Sequence, residues 1–335
     1  MTDLSLNEVG APESKVHKVA RATGRVMGSW RTAGILIPFL ALFIVLSITS
    51  APFLRTTNLL DILDQQASLL IIAAAGTLVL VAGGIDLSIG ATYGLASVVS
   101  AQLALSHSPI VAVIVGILVG LGIGLLNGVI ITVFRINALI ATLAMSFVVG
   151  GVATLVTSGN LIVLTNRQGF ADVAVSSFLG VASAIWIMIF VVLALGILLS
   201  RTTFGRYAVA AGGNPVAGRL AGVRVNQVRI VTFVLSGGAA ALGGIIDTAR
   251  VLSAESSAGG SALAFTVLAG IVVGGTSISG GEGAVSRTVL GVLFIALIGN
   301  GFNLLGLNPL YQQIVLGLIL LVAVSLDVWA RKRVR

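Results

Sequence analysis

Of 335 residues, 57% are hydrophobic and only 9% charged, against about 25% charged in an ordinary soluble domain. So few charges cannot cover a soluble globule of 34.0 kDa, and a mean hydropathy of +1.12 exceeds what a buried core alone produces, so the composition is that of an integral membrane protein. The net charge of +8 comes without cysteine and with two histidines, His17 and His107; this excludes disulfides and Cys-ligated metals and leaves no spacing for a metal site or a catalytic triad, while a nucleic-acid role would need a basic face on a soluble fold.

In chain order, residues 1–33 are polar and carry Lys15, Lys18, Arg21, Arg25 and Arg31. They read as a retained cytoplasmic tail, because they are too long and polar for a signal-peptide leader and the apolar stretch that follows lacks a small-residue cleavage site. Apolar stretches then fall at 34–51, 66–83, 90–105, 109–134, 138–157, 178–199, 228–247, 262–280, 287–305 and 309–330. With about 20 residues needed per span, ten spans use about 200 residues and leave no room for a separate soluble domain. The stretch from Gly90 is short, and the one from Pro109 is long enough to tilt or break. With the N-terminus inside, 16 of the 19 Lys and Arg residues fall on the inner side, and only Arg55, Arg167 and Arg250 fall outside. The positive-inside rule therefore predicts an all-α polytopic membrane protein of about ten helices with both termini cytoplasmic. It comprises a tail over 1–33, a membrane domain over 34–330 and a basic tail over 331–335. Gly116, Gly120 and Gly124 recur every four residues on one helical face, as close helix packing in lipid requires.

Four constellations stand out. The first, Gly83-Gly84-Ile85-Asp86-Leu87-Ser88-Ile89-Gly90, sets a carboxylate between two apolar spans. An acid at such depth needs a protein or water partner, and Asp86 either caps the following helix or binds a mobile cytoplasmic partner. The second, Val272-Val273-Gly274-Gly275 through Gly283, echoes the first in its Val, Gly and Ser positions, on the same side of the membrane. The third is the inner loop 200–227, where Gly212-Gly213-Asn214-Pro215 forms a turn and 216–221 a short amphipathic helix bearing Arg219, stopped at Gly222. Held between two spans, such a helix suits docking of a soluble partner and transmission of rigid-body motion, while the bland alternative is a basic loop that anchors topology. The fourth is a scatter of amides and hydroxyls in or near spans, among them Gln65, Gln66, Ser68, Asn127, Thr142, Ser146, Asn300, Asn303, Gln312 and Gln313. Gln66, Asn127 and Asn300 are the candidates for a substrate path; interhelical hydrogen bonding is the alternative. The three lysines, at 15, 18 and 332, lie in no G-x-x-x-x-G-K-[ST] motif, so any ATP that drives this chain binds elsewhere. No proton relay is evident from the spacing of carboxylates.

GGIDLSIG at 83–90, Asn127-Gly128, FGRYAVAAGGNPVAGRLAGV at 204–223 and GGTSISGGEG at 274–283 occur in order. Together they resemble the permease subunits of bacterial ABC importers for ribose and related sugars, over residues 35–328. The resemblance implies a roughly ten-helix, multi-pass inner-membrane subunit without catalytic activity or bound cofactor. It pairs with a second permease copy or a paralogue, with a cytoplasmic ATPase that carries ATP and Mg in two nucleotide-binding halves, and with an extracytoplasmic sugar-binding protein. It also makes 204–223 the coupling segment, with Arg206, Gly212, Gly213, Asn214 and Arg219 at the ATPase. Gly83, Gly84, Asp86, Ser88, Gly90, Gly274 and Gly275 become motif or gating positions. Ala264 and Thr266 stand where many such permeases carry acids, which points to a divergent sugar, a polyol or half of a heteromeric pair. Ser286-Arg287-Thr288 replaces smaller residues, a change the sequence does not explain.

Two other classes of function compete with this one. An ion-coupled secondary transporter would use Asp86, and a membrane scaffold would move nothing.

Overall fold

The computed structural model describes residues 34–165, 167–308 and 310–332; the tail proposed over 1–33 lies outside them, as does the tail proposed over 331–335 beyond Arg331 and Lys332, which end the last helix. In chain order the helices are α1 (Gly34–Thr49), α2 (Thr56–Gln65), α3 (Ala67–Val81), α4 (Ile89–Ala104), α5 (Pro109–Val133), α6 (Ala138–Thr157), α7 (Gln168–Val175), α8 (Ser183–Arg201), α9 (Thr203–Gly213), α10 (Pro215–Leu220), α11 (Val225–Val251), α12 (Gly260–Val273), α13 (Val285–Leu304) and α14 (Leu310–Lys332). Among the described residues, sheet is confined to β1 (Ile162–Val163), which pairs antiparallel with β4 (Ser253–Ala254), and to the hairpin of β2 (Ser177–Phe178) with β3 (Val181–Ala182).

Among the described residues, five helices, α5, α6, α8, α11 and α13, are long and apolar enough to cross a membrane. A sixth such span is α2 with α3, bent by 50° at their junction. The apolar helices α1, α4, α12 and the 310–323 part of α14 are shorter. At 1.5 Å per residue, α4 and α12 are only about 24 and 21 Å long, less than a hydrocarbon core. Both are cut short by glycine-rich breaks, 82–88 before α4 and 274–284 after α12. The stretch from Pro109 is one uninterrupted helix, with Ser108 accepting from Val111 N at its start. The stretch expected from residue 178 opens instead with the β2–β3 hairpin, and its helix begins at Ser183.

The centre of the fold is α11, packed on α3, α4 and α5. Every residue of α3 is buried, which is why it is apolar on all sides and has no polar face. The α5 glycines lie against α11. A Cβ at Gly120 would stand 2.3 Å from the Gly237 carbonyl oxygen, and one at Gly124 would stand 2.2 Å from that of Phe233. The two backbones touch because neither helix carries a bulky side chain between them there. By contrast the outward faces of α6 and α8 are strongly apolar and exposed, with Ile140, Phe147, Leu155, Phe190 and Leu193 uncovered.

Candidate functional site

The three glycine motifs of the sequence meet at one point. Gly281 N donates to Val81 O at 2.9 Å, which joins the break after α12 to the end of α3. The end of α9 enters the same contact: a Cβ on Gly212 would lie 1.9 Å from Val81 O and 2.7–2.8 Å from the amide nitrogens of Gly281 and Gly83. A Cβ on Gly280 would clash with Gly83 Cα at 2.8 Å, and one on Gly281 with Gly213 Cα at 2.6 Å. Gly83, Gly280 and Gly281 all adopt left-handed φ, at +78°, +83° and +78°, so side chains are excluded twice, by strain and by space. Arg229, in the second turn of α11, braces this node by donating through Nε to Ala82 O (3.2 Å) and through Nη2 to Ala211 O (3.4 Å).

Outward from the node, α9 and α10 form the segment read as a coupling loop. Thr202 caps α9, and Asn214 Oδ1 accepts from Val216 N and Ala217 N to start α10 after Pro215. The helix expected at 216–221 is thus present as α10, while α9 is an additional helix. Gly205, Ala208 and Ala211 face inward on α9. Arg206, Gly213, Asn214 and Arg219 are exposed, beside Tyr207, Val216 and Leu220, the last 86% accessible.

Inward from the node, the segment 82–88 is non-helical and carries Asp86 into the core. Asp86 Oδ1 accepts from Ser88 N (3.0 Å) and Ser88 Oγ (2.6 Å), and Oδ2 accepts from Ser236 Oγ (2.8 Å). Asn127 Nδ2 donates to Ser88 Oγ at 2.7 Å, and its Oδ1 is buried without a hydrogen-bond partner among the described residues. Thr142 Oγ1 accepts from Leu87 N (3.1 Å) and donates to Ile85 O (3.3 Å). Ser236 lies eleven residues beyond Val225, the first residue of α11, about 16 Å along its axis, so the carboxylate sits near mid-helix depth. Neutral donors from α11 and the segment itself hold it, and Asn127 of α5 supports Ser88 from behind. Asp86 does not cap α4 directly, since Ser88 is the N-cap residue and Asp86 grips Ser88.

Beyond Asp86 the two short helices come together at their N-termini. A Cβ on Gly90 would stand 1.7 Å from Gly260 O, so α4 and α12 start backbone against backbone. Beside that junction lies a cavity of about 420 Å³, lined by Leu87 and Ala91, by Ser146, Phe147 and Thr154 of α6, and by Ser256, Ser257, Ser261, Ala264 and Phe265. Hydroxyls, two aromatic rings and small apolar groups are a lining suited to an uncharged polar ligand. Ala264, where the resemblance places an acid, contributes a methyl group here, whereas Thr266 stays out of the lining and bonds back to Ala262 O.

The three path candidates are not brought together. Asn127 belongs to the Asp86 network, Asn300 exchanges amide hydrogen bonds with Asn58 (2.9 and 3.4 Å), and Gln66 stands at the α2–α3 bend. Of the wider scatter, Ser146 lines the cavity. Gly274 packs on the Arg287 carbonyl, and Thr288 Oγ1 meets Thr77 Oγ1 at 2.7 Å, which ties α13 to α3. Carboxylates that seem unpaired by spacing are paired in space. Arg250 binds Asp64 (3.1 Å) and Asp247 (2.5 Å), while Asp247 also accepts from Tyr93 Oη and Ser68 Oγ, both at 2.8 Å. Only the i, i+3 step from Asp247 to Arg250 is visible in sequence. No cluster of three or more His, Cys, Asp or Glu that could hold a metal occurs among the described residues.

The family model described as "Branched-chain amino acid transport system / permease component" matches residues 58–324. The ribose import permease protein RbsC of Bacillus subtilis is 42% identical over 295 residues, 87% of this chain and 91% of that protein. RbsC of Escherichia coli K12 is 38% identical over 296 residues, 87% and 92% of the two chains. The L-arabinose transport system permease protein AraH of Escherichia coli K12 is 37% identical over 339 residues, 100% of this chain and 99% of that one. No solved structure matches. With a family match across most of its length and relatives of this identity over nearly all of it, the chain belongs to this family of ABC importer permease components.

Proposed function

We propose that the chain is the membrane-spanning subunit of an ATP-driven importer for a pentose, a hexose or a related polyol, in the bacterial inner membrane, with about ten spans and both termini cytoplasmic. The observation that carries this reading is the glycine node. An exposed helical pair, α9–α10, is joined through backbone contacts to the segment that holds Asp86 and, beyond it, to a hydroxyl- and aromatic-lined cavity. A contact without side chains has little slack, so a displacement of α9–α10 is passed to the 82–88 segment rather than absorbed.

In this reading Arg206, Arg219, Tyr207, Val216 and Leu220 rest on a cytoplasmic ATPase with two nucleotide-binding halves, which holds the ATP and Mg. The exposed apolar face of α6, with Phe147 76% accessible beside the cavity, meets a second permease copy or a paralogue, and the cavity becomes half of a central path. An extracytoplasmic binding protein delivers the sugar. The RbsC and AraH relatives support a monosaccharide as cargo, and the cavity's uncharged lining agrees with one. The path holds its ligand by a few hydroxyls and ring faces, weakly enough for release.

The test is uptake of radiolabelled pentose and hexose into proteoliposomes that contain the chain, its ATPase and its binding protein. Uptake is expected to need ATP, to resist a protonophore and to survive Asp86→Asn better than Asp86→Ala. Uptake without ATP that collapses with the protonophore and is lost in Asp86→Asn would instead establish the ion-coupled transporter.

A further inference from the structure

A second cavity, of about 620 Å³, opens on the arginine-rich face between the α5–α6 connection, α10 and the start of α11. Three guanidinium groups line it, those of Arg135, Arg219 and Arg229, with Asn137, Asn226 and the Gly83–Gly84 backbone, and none of its twelve lining residues is acidic. Arg229 spends its donors on the backbone carbonyls of the node, as described above. The Arg135 and Arg219 guanidinium groups have no hydrogen bond or ion pair among the described residues. Arg135 is moreover one of four non-glycine residues with positive φ among the described residues, at +56°, a conformation that costs free energy and that surrounding structure must hold in place. The first turns of two long helices also contribute, with Asn137 capping α6 and Asn226 in the first turn of α11, so the positive ends of both dipoles border the cavity.

Like charges gathered around a polar space of small-molecule size, with no carboxylate among the described residues that line it, are stabilised by an anion. Guanidinium groups match phosphate oxygens in planar, bidentate geometry. From these observations we infer that this cavity is a binding site for a phosphate-bearing anion, independent of the cavity beside α6. Its ligand is either a soluble phosphate ester or the phosphate of an anionic lipid headgroup. Because Gly83 and Gly84 form part of its wall, a ligand there touches the segment that leads to Asp86.

The full-length chain, purified into phosphatidylcholine nanodiscs, is melted in potassium phosphate, in a pentose phosphate and in potassium chloride at matched ionic strength, and again in nanodiscs containing phosphatidylglycerol. A rise in Tm of about 2–4 °C over chloride with the soluble anions identifies a free phosphate ligand. The same rise with phosphatidylglycerol alone identifies the lipid headgroup. Either rise should disappear in Arg135→Gln/Arg219→Gln and persist in Arg206→Gln, which removes a charge from the same face outside the cavity. No rise with any of the three, or an equal rise in the double variant, overturns the site.

Discussion

At Asp86 a carboxylate near the middle of the fold is satisfied by one amide and two hydroxyls from Ser88 and Ser236. Removing the side chain leaves three buried donors without an acceptor, whereas an amide keeps one oxygen for them. Asp86→Ala is therefore expected to lower the stability of the purified protein by about 2–4 kcal/mol and Asp86→Asn by about half of that, measured by thermal unfolding in detergent. Equal melting of both variants and the wild type would show that the network contributes nothing. Asp86 was legible as a residue that needs partners, because a lone acid between apolar spans is costly. The identity of those partners was not. Ser236 lies 150 residues away, and a serine on an apolar helix carries no sign of which acid it serves. The same limit hid the pairing of Asp64 with Arg250, 186 residues apart.

Among the elements, α5 and α11 show a pattern that sequence does reveal. Glycines four apart predict a close-packed face, and α11 is the helix that uses it. Gly120→Val sets a Cβ 2.3 Å from the Gly237 carbonyl oxygen and 2.5 Å from Ala241 Cβ, and adds two methyl groups to it. Overpacking of this kind costs about 1–3 kcal/mol where neighbours can shift, and here the obstacle includes backbone. The variant should be recovered at a small fraction of the wild-type yield of folded protein by size-exclusion chromatography, while Gly122→Val, with open space around it, should match wild type. Equal yields of the two variants would refute the packing argument. The α9 helix is not legible in sequence because Gly205, Gly212 and Gly213 lower its propensity, and its alanines form no large apolar stripe. It forms because those small residues fit against α3, α8 and α11, a tertiary gain that local pattern does not contain. The hairpin at 177–182 is hidden for a similar reason, since Phe178, Leu179 and Val181 continue the apolar run from 178 and fit a helix equally well.

For the whole molecule, the sequence topology puts Gly83–Gly90, Val272–Gly283 and the 200–227 segment on one side of the membrane, and glycines from all three are in contact in the structure. Which membrane face this is can be predicted from the arginine count and is open to a direct check, because the chain has no native cysteine. A cysteine at Ser257 should react with an impermeant maleimide added outside intact cells, and one at Ala217 only after permeabilisation; both positions are exposed. The reverse pattern would invert the topology. The cavity beside α6 was not legible, because its walls come from α4, α6, α12 and the residues before α12, and no local motif marks a surface assembled from four parts of the chain. The central claim is that motion of α9–α10 reaches the membrane interior through the glycine node. It is tested by measuring sugar uptake per ATP hydrolysed in proteoliposomes carrying Gly212→Ala, whose added methyl group would meet Val81 O at 1.9 Å. Scored on the variant protein that inserts and binds its ATPase, ATP hydrolysis should continue while uptake falls at least about tenfold, a loss of about 1.4 kcal/mol in coupling; an unchanged ratio of sugar to ATP would contradict the account.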